Sequence, residues 1–188
     1  DSHYDLPVMN KSMGQLDSLE LVPFKAIFEA GVGSVMIAHL YIPAIDNTKN
    51  RATSISKSNV TDLLRNSLHY NGLTFTDALE MKGVAKYFPG GTIAVEAIIA
   101  GNDMLCLPEN VGESIVAIKQ AIADNRLTWE NIYSKVRKVL ASKYQLGLHK
   151  SSVIDTNNLL QDINAKTDAI RREIAEHGIT LLAQAGQT

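Results

Sequence analysis

The sequence predicts an α/β fold built on a parallel sheet, and three observations predict it. Short apolar runs, too brief for helices, alternate with amphipathic stretches of helical period. The runs recur at intervals of about 30 to 40 residues, the length of one strand-helix-strand crossover. Glycines or an Asn-Gly pair close the helical stretches just before the runs begin. Three such strands cannot close a barrel. The pattern fits either a small open sheet or the later part of a (β/α)8 barrel, which needs roughly 250 residues against the 188 here.

Each element has its own signal. Residues 20–30 (ELVPFKAIFEA) place Leu21, Phe24, Ile27 and Phe28 at helical spacing and stop at Gly31, which suits a helix end. Residues 32–39 (VGSVMIAH) read as the first buried strand. Residues 59–69 (NVTDLLRNSLH) are amphipathic, with Ser58 the expected N-cap and Asn71-Gly72 the stop. The second strand covers residues 73–76 and halts at Asp77. Residues 92–100 read as helix closed by Gly101, residues 103–107 (DMLCL) as the third strand, and 111–123 and 128–144 as two more helices. Beyond residue 150 the chain turns polar, with Leu159, Leu160, Ile163, Ile170 and Ile174 forming the apolar side of a helix. Residues 1–149 are therefore expected to form the α/β body. Residues 150–188 should be a helical segment that packs on it or leads to a following domain.

Composition narrows the function classes. Lys and Arg total 18 against 20 Asp and Glu, a formal charge of −2, which gives no electrostatic reason to expect nucleic acid or an anionic membrane as partner. No apolar run reaches membrane-spanning length. Cys106 is the one cysteine, so an internal disulfide and a multi-cysteine metal site are both excluded. The histidines lack metal-ligand spacing and no G-x-G-x-x-G follows a strand, so neither a metal nor a dinucleotide cofactor is expected. The chain opens on Asp1-Ser2-His3 with no initiator Met, and its natural start is expected upstream.

Parallel α/β folds put their sites at the C-terminal ends of the strands, where Asp77, His39 and Pro108 fall. An acid there can be an N-cap for the next helix or a placed catalytic carboxylate. Its neighbours decide between these. FTDALEM (residues 75–81), AGVGSVMIAH (30–39) followed by P-A-x-D (43–46), AGNDMLCLP (100–108) and YQLGL (144–148) occur in the order and spacing of glycoside hydrolase family 3. The chain resembles in particular its β-N-acetylglucosaminidase branch.

That resemblance implies the C-terminal part of a (β/α)8 TIM barrel, about strands six to eight, with the first five strands supplied from outside this sequence. It implies a retaining exo-glycosidase that removes terminal β-linked N-acetylglucosamine, with peptidoglycan fragments as the substrate class. Asp77 would be the nucleophile. The opening D-S-H would supply an acid/base pair, His3 oriented by Asp1. A histidine of ordinary pKa near 6.5 can donate and then accept a proton close to neutrality. His39 is expected either to line the sugar pocket or to be a satisfied, partly buried histidine, and Met81 to pack near the sugar. The segment KYFPGG (86–91) follows the nucleophile strand and is not the family's K-H-F-P-G-H-G motif, which precedes D-S-H. The competing readings are a related phosphorylase, a β-glucosidase of the same family and a non-catalytic sugar-binding barrel.

Overall fold

Strands β1 (Ser34–Ile37), β2 (Leu73–Ala78) and β3 (Met104–Cys106) pair in parallel in that spatial order. They are seen in a computed structural model that describes residues 2–150 and 153–180. Before β1 come α1 (Met13–Gln15), a wide π-helical stretch Leu16–Glu20 and α2 (Val22–Glu29). Between β1 and β2 lie a 3-10 turn, Thr53–Ile55, and a π-helix, Ser58–Ser67. Short α3 (Lys82–Ala85) and α4 (Thr92–Ala100) connect β2 to β3, and α5 (Val111–Ala123) and α6 (Trp129–Gln145) follow. A second unit starting at Leu148 contains α7 (Leu159–Asn164) and α8 (Thr167–Gly178).

The sheet, its order and α4 and α5 match the expected elements, while several boundaries move for local reasons. The helix expected from Glu20 begins at Val22, because Pro23 lacks an N–H and suits the first turn of a new helix. The turn before it closes through Leu21 N–H to the Leu16 carbonyl, five residues back. Ser58 is not a cap; the hydroxyl that accepts there, from the Asn59 N–H, belongs to Ser56. The polar tail forms two helices where one was expected. Most consequential, β2 runs through Asp77 and Ala78 instead of stopping at Thr76.

One face of the sheet is covered by apolar packing. Val35 and Ile37 of β1 meet Val60, Leu64, Tyr70 and Ala100, and Leu79, Val84, Ile93 and Ala97 form a second cluster that Leu105 of β3 and Leu6 join. The other face is open. Met36, Phe75 and Met104 lie in one register row across all three strands, and Met36 is 61% exposed.

The N-terminal strand ends are clamped by charge. Asp103, just ahead of β3, accepts on Oδ2 from Arg65 Nη2 at 2.7 Å, Lys138 Nζ at 2.9 Å and the Thr74 N–H at 2.9 Å. Arg65 and Lys138 both also reach the Gly72 carbonyl, at the entry to β2. Burial pushes the Asp103 carboxyl up, but the Lys138 hydrogen bond, the Thr74 N–H and the two cations outweigh it and leave its pKa lowered.

Replacing Asp103 by Asn leaves two cations facing each other across a mostly buried gap. It should destabilise the protein by about 3 kcal/mol, since breaking a buried pair strands its partners. The sign with pH follows from the lowered pKa: the carboxylate's contribution is complete above its unfolded value of 3.8 and is lost as pH falls through the folded value. Thermal unfolding of parent and Asp103→Asn between pH 7 and 3 checks both; curves that stay equally far apart throughout contradict it.

Candidate active site

Asp77 stands in an irregularity of the sheet. Phe75 pairs with Met104 but Ala78 pairs with Cys106, so β2 spends three residue steps where β3 spends two. This is a bulge, a device that bends a strand and re-aims a side chain. The Thr76 hydroxyl takes the Cys106 N–H at 2.9 Å, filling a bond that the regular ladder does not make. Thr74 and Thr76 are fully buried on the packed face, while Phe75 and Asp77 are half-buried on the open one.

The backbone behind the carboxylate has no slack. The Ala78 N–H donates to Asp77 Oδ1 at 2.8 Å. Leu79 and Glu80 donate to the carbonyls of Cys106 and Leu107, and Met81 donates back to Ala78. Four successive N–H groups are therefore committed. Asp77 caps no helix: α3 starts five residues later, with Met81 at its N-cap position and no side-chain capping bond. Leu107 adopts φ 39°, a left-handed conformation that costs a non-glycine residue about 1 kcal/mol, while its carbonyl holds Glu80.

His39 lies behind this turn and ties two strand ends together. It is 1% exposed. Its Nε2 is 2.9 Å from the Ala78 carbonyl and its Nδ1 2.6 Å from Ser54 Oγ. A carbonyl only accepts, so Nε2 carries the proton and Nδ1 accepts from the Ser54 hydroxyl. Burial lowers the His39 pKa, against the upward pull of the Ala78 bond and the Asp77 charge. Of the two readings of His39, this geometry is that of the satisfied histidine, with both nitrogens engaged inside the protein. The network goes further. Asn102 Nδ2, fully buried, donates to the carbonyls of Ser54 and Ala97, so the loop after β1, the end of β2 and the approach to β3 share one polar chain.

The segment that begins at Ser2 runs along the same end of the sheet. Asp1 lies outside the described residues. His3 is exposed, and the segment carrying it is tied down on both sides. Ser2 O accepts from the Gly83 N–H at 3.1 Å, Asp5 pairs with Lys86 at 2.7 Å, and Pro7 and Met9 exchange backbone bonds with Tyr41. Met81 is half-buried on the turn after Asp77, and Glu80 is exposed. No group of metal-ligating side chains occurs among the described residues.

The sequence names Asp77, His3, His39 and Met81 as candidates; the structure adds Ser54, Thr76 and Gly83 to the groups that position them. Ser54 lies in ATSIS, residues 52–56, a polar run with no period that is buried throughout. Nothing local marks it as interior.

Residues 1–142 match the model of the glycosyl hydrolase family 3 N terminal domain. A β-N-acetylglucosaminidase/β-glucosidase of Cellulomonas fimi is 29% identical over 98% of this chain and 34% of its own length. Among solved structures, a glycoside hydrolase family 3 β-N-acetylglucosaminidase from a Paenibacillus strain superposes with a TM-score of 0.78 at 32% identity, covering 82% of this chain and 30% of that one. A β-glucoside phosphorylase bound to 2FGlc superposes with a TM-score of 0.89 at 27% identity, over 99% of this chain and 35% of that one. The chain thus spans about a third of the length of the relatives it matches.

The lowered pKa of His39 predicts a pH dependence of stability. The unfolded chain takes up a proton near 6.5 that the folded chain resists, so stability is full above that value and is lost as pH falls from it toward the folded pKa. Ser54→Ala should in addition cost about 2 kcal/mol, because it leaves a buried ring nitrogen without its donor. Thermal unfolding of parent, Ser54→Ala and His39→Asn from pH 8 to 5 reads both effects. A slope across that range that His39→Asn leaves unchanged assigns the dependence elsewhere.

Proposed function

The chain belongs to glycosyl hydrolase family 3, and from that premise we propose that it forms the catalytic side of a retaining exo-glycosidase for terminal β-linked N-acetylglucosamine. The observation that carries the proposal is the Asp77 carboxylate: half-buried on the open face of a bulged strand end, backed by a turn whose N–H groups are all committed, and capping nothing. Such placement suits a nucleophile, because misplacement by about 1 Å can cost roughly a hundredfold in rate.

In this reading Asp77 attacks the anomeric carbon as the bond to the aglycone oxygen breaks, giving a covalent glycosyl-aspartate. His3, in its protonated form, gives its proton to the departing oxygen. The neutral imidazole then takes a proton from water as that water attacks the same carbon and releases Asp77. Asp1 orients His3. Met81 packs at the sugar, and His39 works from behind by holding the Ala78 peptide. The first five barrel strands complete the site against the open row Met36, Phe75 and Met104. The Cellulomonas relative's name covers both β-N-acetylglucosaminidase and β-glucosidase; that of the Paenibacillus structure favours N-acetylglucosamine, and the motif resemblance adds peptidoglycan fragments as the substrate class.

A second reading has its own support in the likeness to the β-glucoside phosphorylase. Phosphate would then attack the same intermediate, and a neutral acid/base puts no second carboxylate charge in the anion's way. Product analysis with and without phosphate separates the two.

In the intact enzyme, Asp77→Ala should abolish glycosyl-enzyme formation without loss of folding, and an activated 2-fluoro sugar should label Asp77 of the parent, seen by mass spectrometry of the digested protein. A label on Glu80 overturns the assignment. Residues 1–188 expressed alone should show no turnover of a chromogenic N-acetylglucosaminide, since the open sheet face lacks its other half; turnover by the isolated monomer contradicts the partial-barrel reading.

A further inference from the structure

The turn after Asp77 does a second thing: it provides the seat of the segment that carries His3. Gly83, six residues past Asp77, is buried, and its N–H donates to the Ser2 carbonyl at 3.1 Å. A Cβ built there would stand 2.6 Å from Ser2 O, 2.8 Å from Asp5 O and 3.1 Å from Asp5 C. All three are backbone atoms, which cannot swing aside as a side-chain tip can. Any residue larger than glycine therefore pushes residues 2–5 off the turn. The rest of the segment is fastened independently. Asp5 pairs with Lys86 at the end of the same short helix, and Leu6 packs into the cluster of Leu79 and Val84. On either side of Val8 the Met9 N–H donates to the Tyr41 carbonyl and the Pro7 carbonyl accepts from the Tyr41 N–H. Residues 2–5 thus form an arch with one foot on Gly83 and the other between the apolar cluster and Tyr41.

We propose that Gly83 is a positioning residue that fixes the acid/base arch on the turn of the nucleophile, so that His3 and Asp77 are placed by one rigid piece of backbone. This rests on the roles assigned above to His3 and Asp77. The consequence is a specific one. Lifting the arch leaves Asp77 where β2 and the committed turn hold it, so attack on a sugar with a good leaving group continues, while proton delivery to a poor one fails.

The test compares kcat/KM, which reports glycosylation, for an activated aryl N-acetylglucosaminide and for one with an alkyl or sugar aglycone. In the intact enzyme, Gly83→Ala should lose about tenfold to a hundredfold on the poor leaving group, the range for a misplaced catalytic group. On the activated substrate it should stay within about threefold of the parent, as a remote change that leaves Asp77 in place allows. The pattern should follow that of His3→Ala. Lys86→Met should shift the same ratio the same way by only a few-fold, since an exposed ion pair is worth little. Rates are taken per active site, titrated with the 2-fluoro sugar, so a smaller folded fraction leaves the ratio readable. Equal losses on both substrates, or none on either, overturn the proposal. Where Gly83→Ala yields no titratable sites, the Lys86→Met ratio decides: a shift supports the arch and an unchanged ratio overturns it. A parent enzyme that the 2-fluoro sugar does not label at Asp77 defeats the underlying assignment; one that is labelled there while the ratio stays fixed defeats the positioning role alone.

Discussion

The Ala78 carbonyl is the point on which the candidate site depends. It accepts from His39 Nε2 and from the Met81 N–H, and so joins the end of β1, the end of β2 and the turn into α3 at one atom. Two donors on one carbonyl use both of its lone pairs, and in a buried setting each bond is stronger than in water because the dielectric is low. The arrangement needs a neutral His39 with its proton on Nε2, and Ser54 supplies the donor that sets this tautomer. Asp77 gains its fixed position from the turn so secured.

The two ends of the sheet solve the same mechanical problem with different chemistry. At the N-terminal end a single carboxylate gathers two cations and a backbone N–H, and strand β2 is gripped through the Gly72 carbonyl. At the C-terminal end the ties nearest Asp77 run through neutral groups: His39, Ser54 and the Thr76 hydroxyl. Charge secures the strand entries, and hydrogen bonds between neutral groups secure the turn behind Asp77.

Much of this was legible in the sequence. Periodicity outlined α4 and α5, and Gly101 marks the end of α4; the Asn110 side chain that caps α5 by accepting from the Glu113 N–H is seen only in the structure. The three strands were visible as apolar runs, but the extent of β2 was not: Asp77 and Ala78 are poor strand formers on composition, and they join it only because a bulge lets Ala78 pair with Cys106. Asp77, His3 and Met81 stand out as candidates only through the pattern of their neighbours, and the sequence leaves the role of His39 open. Ser54 stayed hidden because a serine in a long connection has no period to betray it, and its burial is decided by α4 packing on the 3-10 turn that carries it. Gly83 was in view in the sequence, yet a glycine demanded by another segment's backbone looks no different from one demanded by a turn.

Buried polar groups run through this fold beside the apolar cluster of Ile55, Leu79, Val84 and Ile93. Thr74, Thr76, Ser54, Ser56 and Asn102 are all fully buried, an expensive composition unless every group is paired. Here the pairing is nearly complete: Ser56 donates to Asp46, Thr53 donates to the Ala38 carbonyl, and Asn102 gives both its N–H bonds to carbonyls. The Asn102 Oδ1 atom alone is left over among the described side chains. Hydrophobic contacts are non-directional and permit small slides of one element on another, whereas hydrogen bonds with one partner each permit a single register. The turn behind Asp77 is held by the second kind of interaction, through His39, Ser54 and its own committed N–H groups.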